Sequence, residues 1–243
     1  QLKMRPKIYL FGDSITESSF SEDGWGASLA NLFARTADVV LRGYSGYNTR
    51  WALRVSERVF PPSEGCAGES TLAATLFFGA NDACLLDRCS GFQHVPVDEY
   101  KSNLGSIVSL FKERWPKAVI LLITPPPIDE EARIQFPYID NPSNLPERTN
   151  DSAGAYAKAC VEAANECGCP VIDLWTKMQE CPDWRKTYLS DGLHLTPAGN
   201  QLVFREVVEK MTESGLSPET LPVDLPLISE IDQTDPMNSL LFI

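Results

Sequence analysis

A serine hydroxyl attacks a carbonyl only when a base takes its proton, and this chain of 243 residues has just two histidines to offer. One of them, His194, lies in SDGLHLTPAGN, three residues after Asp191. On a tight turn, side chains at i and i+3 can meet. Asp191 can then accept the Nδ1 proton of His194 and leave Nε2 free for a serine. The plainer alternative is a turn-forming aspartate beside an ordinary half-buried imidazole. His94, in GFQHVPVDEY, heads a helical segment and lacks an acid at that spacing, so it reads as structural or pocket-lining. The serine comes from KIYLFGDSITESS, where an apolar run stops abruptly at Gly12-Asp13-Ser14. Ser14-Ile15-Thr16-Glu17 also fits a capping box, with Ser14 taking an orphan amide and Glu17 reaching back. The two uses are compatible, because a helix N-terminus favours the negative charge that develops during attack.

The resulting oxyanion needs donors already in place. The backbone N–H groups of Ser14 and Gly46 and the side-chain amide of Asn81 would supply three, each typically worth roughly 2.7–4 kcal/mol. Glycine at 46 would let the backbone approach the reacting carbonyl closely. Asn81 as a mere turn residue is the alternative. Asp13, Tyr47 and His94 are further candidates for the substrate pocket.

These residues need a frame. Strand-like runs at 7–11, 38–44, 71–78, 118–123 and 170–175 alternate with amphipathic segments. Helical spacing marks Trp25, Leu29, Leu32 and Phe33, then 49–59, then 97–115 with Tyr100, Leu104, Val108 and Phe111, then 149–167 and 197–214. Five strands separated by helices imply right-handed crossovers and a parallel sheet covered on both faces. In the flavodoxin-like order 2-1-3-4-5 the first three strands are neighbours. Ligands in such sheets bind beyond the carboxyl ends of the strands, at the switch point. There the chain places Gly12-Asp13-Ser14, Ser45-Gly46-Tyr47-Asn48 and Gly79-Ala80-Asn81-Asp82. Each is routine turn chemistry alone; three around one crevice form a candidate site.

Two segments fit no strand or helix. The stretch 125–147, carrying Phe136, Pro137, Tyr138 and Ile139, is long enough to act as a lid, with disordered surface as the alternative. A catalytic domain over 1–215 is expected to be followed by an acidic extended tail over 216–243. Leu221, Val223, Leu225 and Leu227 alternate there as in an extended arm, and Pro222 and Pro226 forbid a central strand. The arm is a candidate surface for packing on its own domain or for pairing two copies.

Lys and Arg number 21 against 33 Asp and Glu, a net charge of −12. That balance argues against nucleic acid or an anionic membrane as partner, since either needs a basic patch. Seven cysteines, an odd count without CxxC or Cys/His ligand spacing, fit a reducing compartment. A strand begins almost at once, nothing resembles a signal peptide, and no apolar stretch is long enough to span a membrane. A cytoplasmic location is expected, with no metal and no cofactor.

The motifs FGDSIT, GYSGYNTR, FFGANDA and DGLHLTPAGN, in that order from Phe11 to Asn200, resemble the four blocks of the SGNH, or GDSL, hydrolase superfamily. GYNTRWAL, QHVPVDEYKSNL and ITPPPIDEEAR resemble its isoamyl acetate-hydrolysing esterase branch, plant members included. The resemblance implies the three-layer flavodoxin-like α/β fold of that superfamily. It implies Ser14 as nucleophile, Gly46 and Asn81 as oxyanion donors, His194 as base and Asp191 as its orienting acid. The implied activity is cofactor-free hydrolysis of short acyl esters of small alcohols, acetates first. The α/β-hydrolase elbow GxSxG is absent; Gly43-Tyr44-Ser45-Gly46 misregisters. Three rivals remain: an acyltransferase using the same acyl-enzyme, a binding module on the same scaffold, and an aspartyl-phosphate enzyme using Asp13, which lacks an acidic metal cluster and a placed lysine.

Overall fold

Strands that are apolar at every position must be covered on both faces, because successive side chains point to opposite sides. The computed structural model describes residues 5–60, 70–137 and 139–240 and shows that arrangement. Five parallel strands, β1 (Lys7–Gly12), β2 (Asp38–Gly43), β3 (Thr71–Phe77), β4 (Val119–Ile123) and β5 (Val171–Ile172), pair in the order β2-β1-β3-β4-β5. Along β1, Ile8 and Leu10 enter one core while Tyr9 and Phe11 enter the other. β4 divides likewise, with Leu121 and Ile123 on the first side and Ile120 and Leu122 on the second.

The helices are α1 (Ser14–Glu17), α2 (Trp25–Leu32), α3 (Thr49–Val59), α4 (Val97–Arg114), α5 (Glu130–Gln135), α6 (Asn150–Glu166), α7 (Leu174–Gln179), α8 (Trp184–Tyr188) and α9 (Pro197–Glu213). Trp25 and Leu29 of α2 and Val203 and Val207 of α9 cover the first face. Ala52 of α3, Leu104 and Phe111 of α4, and Cys160 and Ala163 of α6 cover the second. The flavodoxin-like order 2-1-3-4-5 is the order found. Among the described residues no helix is long and apolar enough to cross a membrane.

The differences have local causes. β5 has two residues rather than the six expected at 170–175. Asp173 stops it by capping α7, its carboxylate accepting the Thr176 N–H at 3.1 Å. Segment 125–147 is anchored by buried residues at its two ends, with none buried among the described residues from 134 to 146, Tyr138 lying outside them. α5 forms within it, and Ile128, Arg133 and Glu147 are buried at 1%, 2% and 0% exposure. In the tail, Val223, Leu225 and Leu227, which would share the inward face of an extended arm, are 41%, 42% and 40% exposed, so that face is not buried. Charge anchors this arm instead: Asp224 accepts from Arg35 Nε at 2.8 Å and from Arg5, while Leu221 touches the first core. Residues 241–243 lie outside the described part.

Candidate active site

Ser14 stands where β1 meets α1, and the turn is tight. A Cβ on Gly12 would lie 2.1 Å from Thr16 Oγ1 and 2.6 Å from the Phe77 carbonyl, so only glycine lets α1 fold back onto the sheet there. The cap of α1 is Asp13, whose carboxylate accepts the Ile15 N–H at 3.0 Å. The capping box centred on Ser14 is therefore corrected. Ser14 is the first helical residue, and its hydroxyl is not used as a cap. Glu17 does not reach back but accepts the Ser45 N–H at 2.7 Å, tying the loop after β2 to α1. The Ser14 N–H belongs to the first turn, whose amides lack intrahelical acceptors.

His194 and Asp191 lie on the turn between Leu189 and Leu195, which form an antiparallel bridge. Asp191 Oδ1 accepts the backbone N–H groups of Leu193 and His194 at 3.0 and 2.8 Å, and Oδ2 lies 2.8 Å from His194 Nδ1. Burial alone would push the Asp191 carboxyl up. The hydrogen bond and charge of the His194 ring, its backbone N–H and the Arg133 guanidinium outweigh that, holding the group well below the usual carboxylate range. Since an ionised carboxylate only accepts, His194 Nδ1 carries the proton and Nε2 is the acceptor. Nε2 lies 2.9 Å from Ser14 Oγ, so the serine hydroxyl donates to it.

The loops after β2 and β3 complete the arrangement. Gly46 has φ of +78°, the left-handed region, while a Cβ built there meets only Gln93 Nε2 at 3.4 Å. Glycine is needed at this position for its backbone conformation rather than for space. Asn48 caps α3 by accepting the Trp51 N–H at 2.9 Å. Asn81 is buried at the end of β3, and its neighbour Asp82 accepts the Thr49 N–H at 2.9 Å, joining the two loops. Ser14, Gly46, Asn81 and His194 share the wall of one cavity of about 40 Å³ with Ser45, Gln93, Arg133, Arg148 and Leu193.

The three further pocket candidates lie outside that lining. Asp13 is buried beneath it, and desolvation pushes its carboxyl up to about 6. Tyr47 contributes its carbonyl, which accepts from Asn81 Nδ2 at 2.9 Å. His94 Nδ1 lies 2.7 Å from the Cys84 carbonyl, so its ring is a strut between loops. It precedes α4 by three residues rather than heading it.

Sequence reasoning missed the charged floor. Arg133, 2% exposed, donates from Nη1 to Asp191 Oδ2 at 2.9 Å and from Nε to Glu147 Oε1 at 2.8 Å. Arg148 donates from Nη1 to the same Glu147 oxygen at 2.9 Å and from Nη2 to Cys84 Sγ at 2.8 Å. In the sequence Arg133 closes the motif ITPPPIDEEAR and Glu147 and Arg148 sit in PERTN, with no role expected for any of the three. Among the described residues no group of three His, Cys, Asp or Glu side chains is arranged to hold a metal ion.

The GDSL-like Lipase/Acylhydrolase family matches residues 10–202. A GDSL esterase/lipase of Arabidopsis thaliana is 64% identical, across 97% of this chain and 98% of its own. The human isoamyl acetate-hydrolyzing esterase 1 homolog is 43% identical, across 97% of this chain and 92% of its own. Among solved structures, the lipase/acylhydrolase of Enterococcus faecalis aligns with a TM-score of 0.66 at 27% identity, over 88% of this chain and 98% of that one. With a family match over most of the sheet and relatives this similar along nearly their whole length, the chain belongs to the GDSL-like lipase/acylhydrolase family and is a carboxylic ester hydrolase.

Proposed function

We propose that the chain hydrolyses acetate and other short acyl esters of small alcohols through a Ser14–His194–Asp191 acyl-enzyme. The observation that carries this reading is the shared cavity. Its wall holds a serine hydroxyl already donating to an imidazole, beside Gly46 and Asn81, and its volume is about 40 Å³. So small a space beside the serine favours a short acyl group over a long one. Ser14 Oγ attacks the acyl carbon as His194 Nε2 takes its proton. Charge collects on the carbonyl oxygen, where the Ser14 and Gly46 N–H groups and the Asn81 amide stabilise it. His194 then returns the proton to the departing alkoxide, leaving the acyl group on Ser14. Water, deprotonated by the same ring, releases the carboxylic acid. The names of the isoamyl acetate-hydrolyzing relatives support an acetate as the acyl half.

A series of chromogenic esters tests the reading. kcat/KM should be highest for acetate and fall by about tenfold or more by octanoate, since forcing methylenes into a filled cavity typically costs 1–3 kcal/mol. Equal or better turnover of octanoate would refute the short-acyl assignment. Asn81→Ala should lower kcat by about 10²–10³ with little change in melting temperature, because its amide acts mainly in the transition state. Undiminished turnover would reduce Asn81 to a turn residue. A reducing, cytoplasmic compartment belongs to the same proposal, supported by six free cysteines among the described residues, Cys66 lying outside them.

A further inference from the structure

The two oxyanion donors contributed by loops come from separate places, Gly46 after the edge strand β2 and Asn81 after the inner strand β3. One side chain joins them. Gln93 Nε2 donates to the Gly46 carbonyl at 2.8 Å and to Asn81 Oδ1 at 3.2 Å. A carbonyl only accepts, so the Gly46 contact fixes which end of the Gln93 amide is nitrogen. The same logic orients Asn81, whose Nδ2 donates to the Tyr47 carbonyl at 2.9 Å. One Asn81 N–H is thereby engaged with Tyr47, and the second is left for the cavity that Asn81 lines. Gln93 is itself held in place, 2% exposed, with Oε1 accepting the Cys84 S–H at 3.6 Å and its carbonyl accepting from Asn48 Nδ2 at 2.8 Å.

We propose that Gln93 is a positioning residue for the oxyanion hole, a single amide that aligns the Gly46 and Asn81 donors on one point of the cavity. It acts through those two residues rather than on the ester. Donors fixed before the reaction stabilise developing charge at no cost of reorganisation, whereas mobile ones must first be ordered. Without the Gln93 amide, the peptide after Gly46 loses its anchor. Asn81 Oδ1 loses its donor, and its amide is free to rotate about the last side-chain bond.

This inference rests on the oxyanion reading above, and the experiment separates the two. kcat and KM are measured on one acetate ester for the wild type, Asn81→Ala, Gln93→Met and the double variant, with active sites titrated. Gln93→Met keeps the length of the side chain and removes its donor. Its kcat should fall about 10- to 100-fold, no more than the loss of a whole donor. KM should stay within about twofold, because those donors hold the transition state and not the bound ester. In the Asn81→Ala background the same substitution should cost far less than it does alone, since part of what it positions has gone. Gln93→Leu likewise has no N–H to donate to the Gly46 carbonyl and cannot regain one by protonation. It should show the same loss, and it carries the test if the methionine variant does not fold. A Gln93 that merely fills space would lower the melting temperature and leave kcat per titrated site unchanged. That result overturns the proposal, as does full multiplication of the two losses in the double variant. Undiminished kcat in Asn81→Ala would sink the oxyanion reading itself, and this proposal with it.

Discussion

Ser14→Ala and His194→Ala should each remove nearly all ester hydrolysis, by a factor on the order of 10⁶ in kcat where nucleophile and base work as one unit. The 2.9 Å contact between Ser14 Oγ and His194 Nε2 is the reason, because losing either partner leaves the other with nothing to do. The double variant should fall no further than either single one. Asp191→Ala should cost less, on the order of 10⁴, since that carboxylate orients the ring without touching substrate. A serine-directed phosphonate should attach to Ser14 in the wild type and slowly or not at all in His194→Ala. Labelling should decline as acid protonates the ring, because an imidazolium cannot accept the serine proton. His94→Ala should keep the labelling, its ring being bound to the Cys84 carbonyl. Labelling lost in His94→Ala but kept in His194→Ala would give the base to the other histidine and break the whole arrangement.

What could be read from the sequence follows from how local each feature is. The two-sided core was legible because Ile8, Leu10 and Phe11, like Leu121, Leu122 and Ile123, are apolar without alternation, and the strand order came with the flavodoxin-like fold that the four motifs imply. The turns after β1, β2 and β3 were legible because small polar residues directly follow those runs. The pairing of Asp191 with His194 spans three residues and is also local. The charged floor is the opposite case. Arg133, Glu147 and Arg148 become a buried cluster only once the segment 125–147 packs against the turn carrying Asp191, 58 residues from Arg133. Arg133 ends the motif ITPPPIDEEAR, but the residues around it do not say which carboxylates it meets. Gln93 is similar, since its partners Gly46 and Asn81 lie 47 and 12 residues away. The anchor of the tail was hidden for another reason. Alternating leucines and valines imply an in-and-out arm only if a surface receives them, whereas Asp224, between the charges of Arg5 and Arg35, fixes this one.

Arg133→Met should destabilise the folded protein by about 3–5 kcal/mol, the usual cost of removing one partner from a buried ion pair. Glu147 is 0% exposed and has two cationic neighbours, Arg133 and Arg148, at 2.7 and 2.9 Å. With Arg133 gone, a fully desolvated carboxylate keeps a single partner. At about 2–4 °C per kcal/mol for a domain of this size, the melting temperature should drop by roughly 6–20 °C. Adding Glu147→Gln should recover part of that loss, because the unbalanced charge disappears with it. The same substitution reaches the turn that carries Asp191 and His194, since Arg133 Nη1 also binds Asp191 Oδ2 at 2.9 Å. The sign follows from charge. Arg133 is one of the groups that hold the Asp191 carboxyl down, so its removal should let that carboxyl rise toward its ordinary value. The lowered pKa of Asp191 contributes stability that is present above the carboxyl's unfolded value of about 3.9 and is lost as pH falls toward the folded one. Part of that acid-labile stability should vanish in Arg133→Met, narrowing the gap in melting temperature between variant and wild type as pH falls below about 4. An Arg133→Met protein with wild-type melting at every pH would show that Glu147 and Asp191 do not depend on the guanidinium between them.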